Sequence, residues 1–230
     1  MSVPLAASPS RHHDDYRLMA HLYYALEWIY SGGAMQACKA SQKEWIKAGD
    51  RVLYCGIGRG REAVLAAKQG AVVTGVDRSP SMLGRARREA ARAGVSIELI
   101  DADVRTFDRK GQYDLVVTNF FLNVFEEEEM VLVLRHAASL VKDGGRLVIA
   151  DFAPLAGSAI GRLLQSIYWN LPLYTFLVMT DTKWHPIYDY PRYFDRAGLR
   201  IETVRRFPIF GIGPKWYWTM AARREQTTSE

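Results

Sequence analysis

Short apolar runs alternate with helix-like stretches from Arg51 to Asp151, and no other feature constrains the fold as strongly. The runs are Arg51–Cys55, Ala71–Val76, Ile97–Ile100, Tyr113–Thr118 and Arg146–Asp151. Between the first two lies the helix-like Arg61–Gln69, stopped by Gly70. A second helix opens at Ser79-Pro80, a cap followed by proline at the first helical position, and stops at Gly94. A third opens on Glu126–Glu129, acids suited to the positive end of a helix dipole, and runs to Val141 before a turn at Lys142–Gly145. Strand and helix recur about every 25 residues, the pattern of a doubly wound, mostly parallel sheet. Such sheets bind ligands beyond the carboxyl ends of their strands. The residues directly after each strand are therefore where the chemistry is expected.

Those residues form a series. Tyr54-Cys55 leads into Gly56-Ile57-Gly58-Arg59-Gly60, where glycines at alternate positions permit a tight bend and close approach of a ligand to the main chain. The helix near Arg61 aims its N-terminal amides at the same place. Asp77 follows the second strand, at a spacing where a carboxylate can accept both hydroxyls of a ribose. Asp101-Ala102-Asp103-Val104 follows the third and Asn119-Phe120-Phe121-Leu122-Asn123 the fourth. Each alone is also explained as a turn residue or helix cap. In this order they predict a nucleoside-binding crevice.

The series resembles the motifs of class I S-adenosylmethionine-dependent methyltransferases over residues 49–152. The resemblance implies a Rossmann-like seven-stranded α/β sheet that ends in an antiparallel pair, here Leu199–Arg206 and Trp216–Arg223. It implies S-adenosylmethionine as cofactor. Gly56, Gly58 and Gly60 would lie against its methionine part, and Asp77 with its neighbour Arg78 beside the ribose. Asp103 would bind the adenine amino group with Val104 beside the ring, and Asn119 would line the site near the sulfonium. A weaker similarity, carried by Tyr24–Gly33 and Ala150–Pro154, points to the quinone-biosynthesis C-methyltransferases and their phospholipid-methylating relatives. It places Tyr24 in an element that folds over the cofactor. One departure stands out: Tyr54 occupies the position where the family usually has an acid for the cofactor's ammonium end. Arg59 and Arg61 flank the loop and could favour the cofactor carboxylate instead. Transfer of a different group from the cofactor or a derivative is thus an alternative to methyl transfer. A non-catalytic nucleoside-binding module is another. A nicotinamide dehydrogenase fits less well, because Gly60 falls one position short of that motif's spacing.

Candidate acid–base groups come from segments that would cap the crevice: Tyr24, Asp151 and His185, with His12 and His13 as weaker candidates. A histidine at 185 can titrate near neutral pH, yet a structural hydrogen bond is the more frequent outcome. Asp151 lies at a strand end, where capping a loop competes with facing the acceptor.

The 230 residues are 49% apolar and 24% charged, ordinary for a globular chain of one domain. The organisation expected is an N-terminal helical cap over 1–48 and a cofactor domain over 49–230, with an aromatic lid over 153–195. Two cysteines exclude a disulfide framework and a cysteine-rich metal site. With no secretory signal pattern and no long uninterrupted apolar run, a cytoplasmic protein is expected. The net charge of +5 comes with a basic run, Arg78 to Arg92, better explained as a solvated helix face than as a nucleic-acid footprint. Aromatic residues are uneven: six in 1–50, six in 51–151 and fifteen from Phe152 to Trp218. The rich stretch is expected to hold an apolar or aromatic small-molecule acceptor. Internal packing, a homodimer contact and peripheral docking on a membrane are the competing readings.

Overall fold

The computed structural model describes residues 28–155, 157–179 and 187–225, of which 170–179 by backbone alone. Seven strands form one sheet: β1 Arg51–Cys55, β2 Val72–Asp77, β3 Glu98–Asp101, β4 Tyr113–Asn119, β5 Val141–Phe152, β6 Leu199–Phe207 and β7 Tyr217–Arg224. Their order is β3-β2-β1-β4-β5-β7-β6, parallel throughout except for β7, which runs antiparallel to both neighbours. The chain winds outward from β1 to β3, then returns to place β4 on the other side of β1. That reversal opens a crevice between the loops after β1 and β4. The glycine loop and Asn119 lie there.

The helices are α1 Ala34–Ala40, α2 Arg61–Lys68, α3 Pro80–Ala93, α4 Glu127–Leu140, α5 Ala159–Met179 and the single turn α6 Pro191–Phe194. Local sequence explains their ends. Ser79 caps α3 by accepting from the Met82 amide at 3.3 Å, Pro80 starts it, and Gly94 ends it with φ 67°. Alternation along the strands divides the core. Val52 and Tyr54 face Ala63, Ala66 and Leu83 of α2 and α3, whereas Leu53 and Cys55 share a cluster with Met130, Leu134 and Ala137 of α4. Each of the larger aliphatic side chains among them, Val52, Leu53, Leu83, Met130 and Leu134, contributes about 1.5–3 kcal/mol. Both cysteines are buried free thiols.

One element differs from expectation. Lys142–Gly145 does not separate helix from strand, because β5 already pairs at Val141, opposite Tyr113. The register then jumps to Leu115 opposite Arg146, so the four residues loop out of the ladder. Lys142 is held there by Asp114, and the Gly144 carbonyl accepts from Arg223 at 3.1 Å. Helix α5 turns its polar Gln165 inward, where it donates to the Ala153 carbonyl at 2.9 Å. Its Ile160, Leu163, Leu164 and Ile167, spaced as one helical stripe, face outward and are more than half exposed. Among the described residues no helix is long and apolar enough to cross a membrane.

Candidate cofactor crevice and acceptor cleft

The first strand ends in a loop stitched to the end of the second. Gly56 and Ile57 both donate to the Val76 carbonyl, at 2.9 and 3.2 Å. Gly58 donates to Asp77 Oδ2 at 3.1 Å, and Ser79 donates to Oδ1 at 2.9 Å. Asp77 therefore fixes the loop and presents a partly exposed carboxylate to the crevice. Gly56 needs to be glycine on two counts: its φ is 69°, and a Cβ there would stand 2.4 Å from the Phe121 ring. Gly58, at φ 54°, has nothing within 4 Å of its would-be Cβ and borders open space. Gly60 caps α2 in the left-handed region and packs on Ala86.

Tyr54 does not replace the missing acid. Its side chain is 4% exposed, lies in the α2-side core and donates to the Glu62 carbonyl at 3.1 Å. The fourth strand supplies a different polar group. Asn119 donates weakly to Gln42 Oε1 at 3.5 Å, while its own Oδ1 is buried with no hydrogen-bond partner. A buried unpaired acceptor is costly and points toward an absent donor. The next residue, Phe120, sits at φ 49°, a strained backbone for a bulky side chain. This twist sends Phe120 toward Phe152, 5.0 Å between rings, and Phe121 against Gly56.

Asp103 stands at the end of β3, as expected, but its carboxylate is engaged. Arg105 pairs with it through backbone and side chain, Arg78 approaches to 3.6 Å, and Arg105 together with Arg78 holds the carboxyl below its ordinary range. Arg78 itself is largely solvent-exposed. Val104 is 3% exposed with its side chain in the core, so only its backbone is available to a ring.

Beyond the ends of β4 and β5 lies a cleft of about 670 Å³, lined in part by Glu127, Leu155, Tyr188, Arg192, Tyr193 and Arg206. It does not reach the glycine loop, where Phe121 lies against Gly56. Three tyrosine hydroxyls hold its far wall. Tyr188 donates to the Phe125 carbonyl at 2.8 Å, Tyr190 to Asp151 Oδ2 at 2.7 Å and Tyr193 to Glu127 Oε1 at 2.7 Å. Asp151 is thus not an open base. It is 2% exposed, its second oxygen accepts from the Phe152 amide at 2.8 Å, and burial pushes its carboxyl up to about 7 against both bonds. Burial likewise raises the Tyr190 hydroxyl.

Tyr24, His185, His12 and His13 lie outside the described residues. Asp77, Asn119 and the three glycines come together at the crevice, with Asp103 at its β3 side. Sequence reasoning assigned no role to Phe121, Gln42, Tyr190 or Arg206. A pair of phenylalanines directly after Asn119 was the available signal for Phe121; the others lie far away in sequence and are brought in only by packing.

A family model described as a methyltransferase domain matches residues 52–145. The demethylmenaquinone methyltransferase of Tropheryma whipplei (strain Twist) is 34% identical over 179 residues, covering 73% of each chain. The carboxy-S-adenosyl-L-methionine synthase of Enterobacter sp. (strain 638) is 31% identical over 102 residues, 44% of this chain and 41% of that enzyme, so the chain spans less than half of its length. Among solved structures, the 1,6-didemethyltoxoflavin-N1-methyltransferase of Burkholderia thailandensis superposes with a TM-score of 0.63 at 18% identity, covering 97% of this chain and 94% of that one.

Proposed function

This chain belongs to the S-adenosylmethionine-dependent methyltransferases, and from that premise we propose that it methylates an apolar or aromatic small molecule, quinone-like or lipid-like, seated beyond the ends of β4 and β5. The observation that carries the reading is the Asp77 carboxylate fixed to the Gly58 amide beside open space at the strand reversal. The residues fit the cofactor. Asp77 is placed to accept from ribose hydroxyls, the open face of Gly58 admits close approach, and the unpaired Asn119 Oδ1 offers an acceptor for an ammonium that Tyr54 does not serve. Asp103 can accept from an adenine amino group while keeping Arg105, and Arg78 screens it.

When bound, the sulfonium cofactor supplies a methyl group that is already activated, so the protein's task is placement and exclusion of water. Phe120, Phe121 and Phe152 line that end with apolar surface. Residues 153–195 act as the acceptor-side lid and residues 1–48 as the cap. Asp151 acts as a positioning group: through Tyr190 it holds the wall that carries Tyr188. Tyr24 and His185, outside the described residues, stay as proposed acid–base groups. The outward stripe of α5 supports a peripheral contact with an apolar partner. The names of the demethylmenaquinone methyltransferase relatives favour a quinone-like ring.

A panel of quinols, phenols and lipids incubated with methyl-labelled S-adenosylmethionine tests the reading. A labelled apolar product is expected; label transfer to none of them overturns it. The buried Tyr54 and the carboxy-S-adenosyl-L-methionine synthase relative favour a second reading, transfer of a different group. Mass spectrometry of the nucleoside that copurifies separates the two, since a modified cofactor differs in mass from S-adenosylmethionine.

A further inference from the structure

The acceptor cleft carries four charges, and they are not equivalent. Arg192 is paired with Asp189 at 2.8 Å, so those two cancel. Glu127 accepts from Tyr193 and lies in the first turn of α4. Arg206 has no acidic partner among the described residues; its guanidinium lies over the Trp218 ring, 5.6 Å from the centroid. Arg205 beside it pairs with Glu44, and Arg146 of β5 and Arg223 of β7 pair with Glu202. The cleft is thus mixed in character, apolar at Leu155, Ile187 and the tyrosine rings and charged elsewhere, with one cation that lacks an acidic partner among the described residues and a wall fixed by three tyrosine hydroxyls.

We propose that this cleft selects a ring-bearing acceptor with a single anionic group, a carboxylate or an ionised ring hydroxyl, and that Arg206 is the residue that selects it. A guanidinium is always charged, presents a planar fork that matches a carboxylate, and can keep its stacking on an indole while it pairs in its own plane. Tyr188, Tyr193, Ile187 and Leu155 receive the apolar body. The Glu127 carboxylate disfavours a second anionic group. The volume of about 670 Å³ suits a fused ring with a short substituent. This inference rests on the cleft being the acceptor site, and names the class of acceptor.

Two probes of equal ring size, 2-naphthoate and the neutral 2-naphthylmethanol, test it by calorimetry on the full chain. The wild type is expected to bind the naphthoate about tenfold or more tightly than the alcohol, the worth of one charge-assisted pair. Arg206→Gln is expected to lose that preference while binding the alcohol within about twofold of wild type, and Arg206→Lys to retain part of it. Arg206 is exposed, so thermal melts of both variants should match the wild type. Equal affinity of the wild type for the two probes, no binding of either at millimolar concentration, or a preference that survives in Arg206→Gln would overturn it. Absence of methyl transfer with intact naphthoate selectivity would instead remove the methyltransferase reading and leave the anion site standing.

Discussion

The loops after β1 and β2 and the stretch from Phe152 to Trp218 solve opposite problems. In the first, backbone does the work: Gly56, Gly58 and Gly60 adopt φ values of 69°, 54° and 76°, and Asp77 ties two amides together. In the second, side chains do it: Tyr188, Tyr190 and Tyr193 reach across to the loop after β4, to β5 and to α4, and Trp169 packs on Phe152 and Tyr217. The difference teaches where tolerance lies. A backbone site admits one residue type at each key position, while a side-chain site can change its occupant by repacking. On the proposed reading, the first region serves the cofactor and the second the acceptor.

The sharpest way to break this contrast is at Asp77. Asp77→Ala removes a charged acceptor and frees two loop amides, so affinity for S-adenosylhomocysteine should fall by about a hundredfold or more, read by calorimetry. Unchanged affinity would place the cofactor elsewhere. Next is Gly56→Ala, which combines a left-handed backbone with a Cβ 2.4 Å from the Phe121 ring; urea unfolding should show a loss of about 2–4 kcal/mol. Phe121→Ala in the same chain should recover the steric part, whereas Gly58→Ala, with nothing near its Cβ, should cost only the backbone strain.

On the side-chain side, Asp151 gives a pH signature. Its folded carboxyl titrates near 7, raised from an ordinary 3.8, so the folded state holds a proton that the unfolded state has released. Wild-type stability should therefore fall as pH rises from about 4 to about 7 and level off above, by up to about 4 kcal/mol over the whole window. Asp151→Asn should flatten that window; an unchanged slope in urea unfolding at pH 5 and 8 would contradict the assignment. The smallest effect is expected on the outward stripe of α5. Leu163→Ser, at a residue 61% exposed, should change stability by no more than about 0.5 kcal/mol. A larger loss would mean that a partner covers this face.

Legibility in the sequence followed the same division. The strand–helix alternation and its punctuation were readable because glycine, proline and capping serine act locally: Ser79-Pro80 and Gly94 bound α3 as expected, and the final antiparallel pair falls within one residue of its predicted limits. Asp77 was readable because it follows a strand at a fixed spacing from Gly56. The register jump across Lys142–Gly145 was not, since a paired Val141 depends on a neighbour 28 positions away. Nor was the burial of Asp151, because Tyr190 reaches it across 39 residues. Asp103 illustrates a mixed case: its place at the end of β3 is local, its clamp by Arg105 and Arg78 is a matter of packing and charge.

The central claim is that the β1–β4 crevice is a cofactor site whose key carboxylate is Asp77. Calorimetric titration of the wild-type chain with S-adenosylhomocysteine tests it most directly. Saturable binding with one nucleoside per chain at micromolar concentration, lost in Asp77→Ala while a Leu163→Ser control binds as the wild type does, is the result predicted. No heat of binding up to high micromolar nucleoside, or equal binding by wild type and Asp77→Ala, would contradict it.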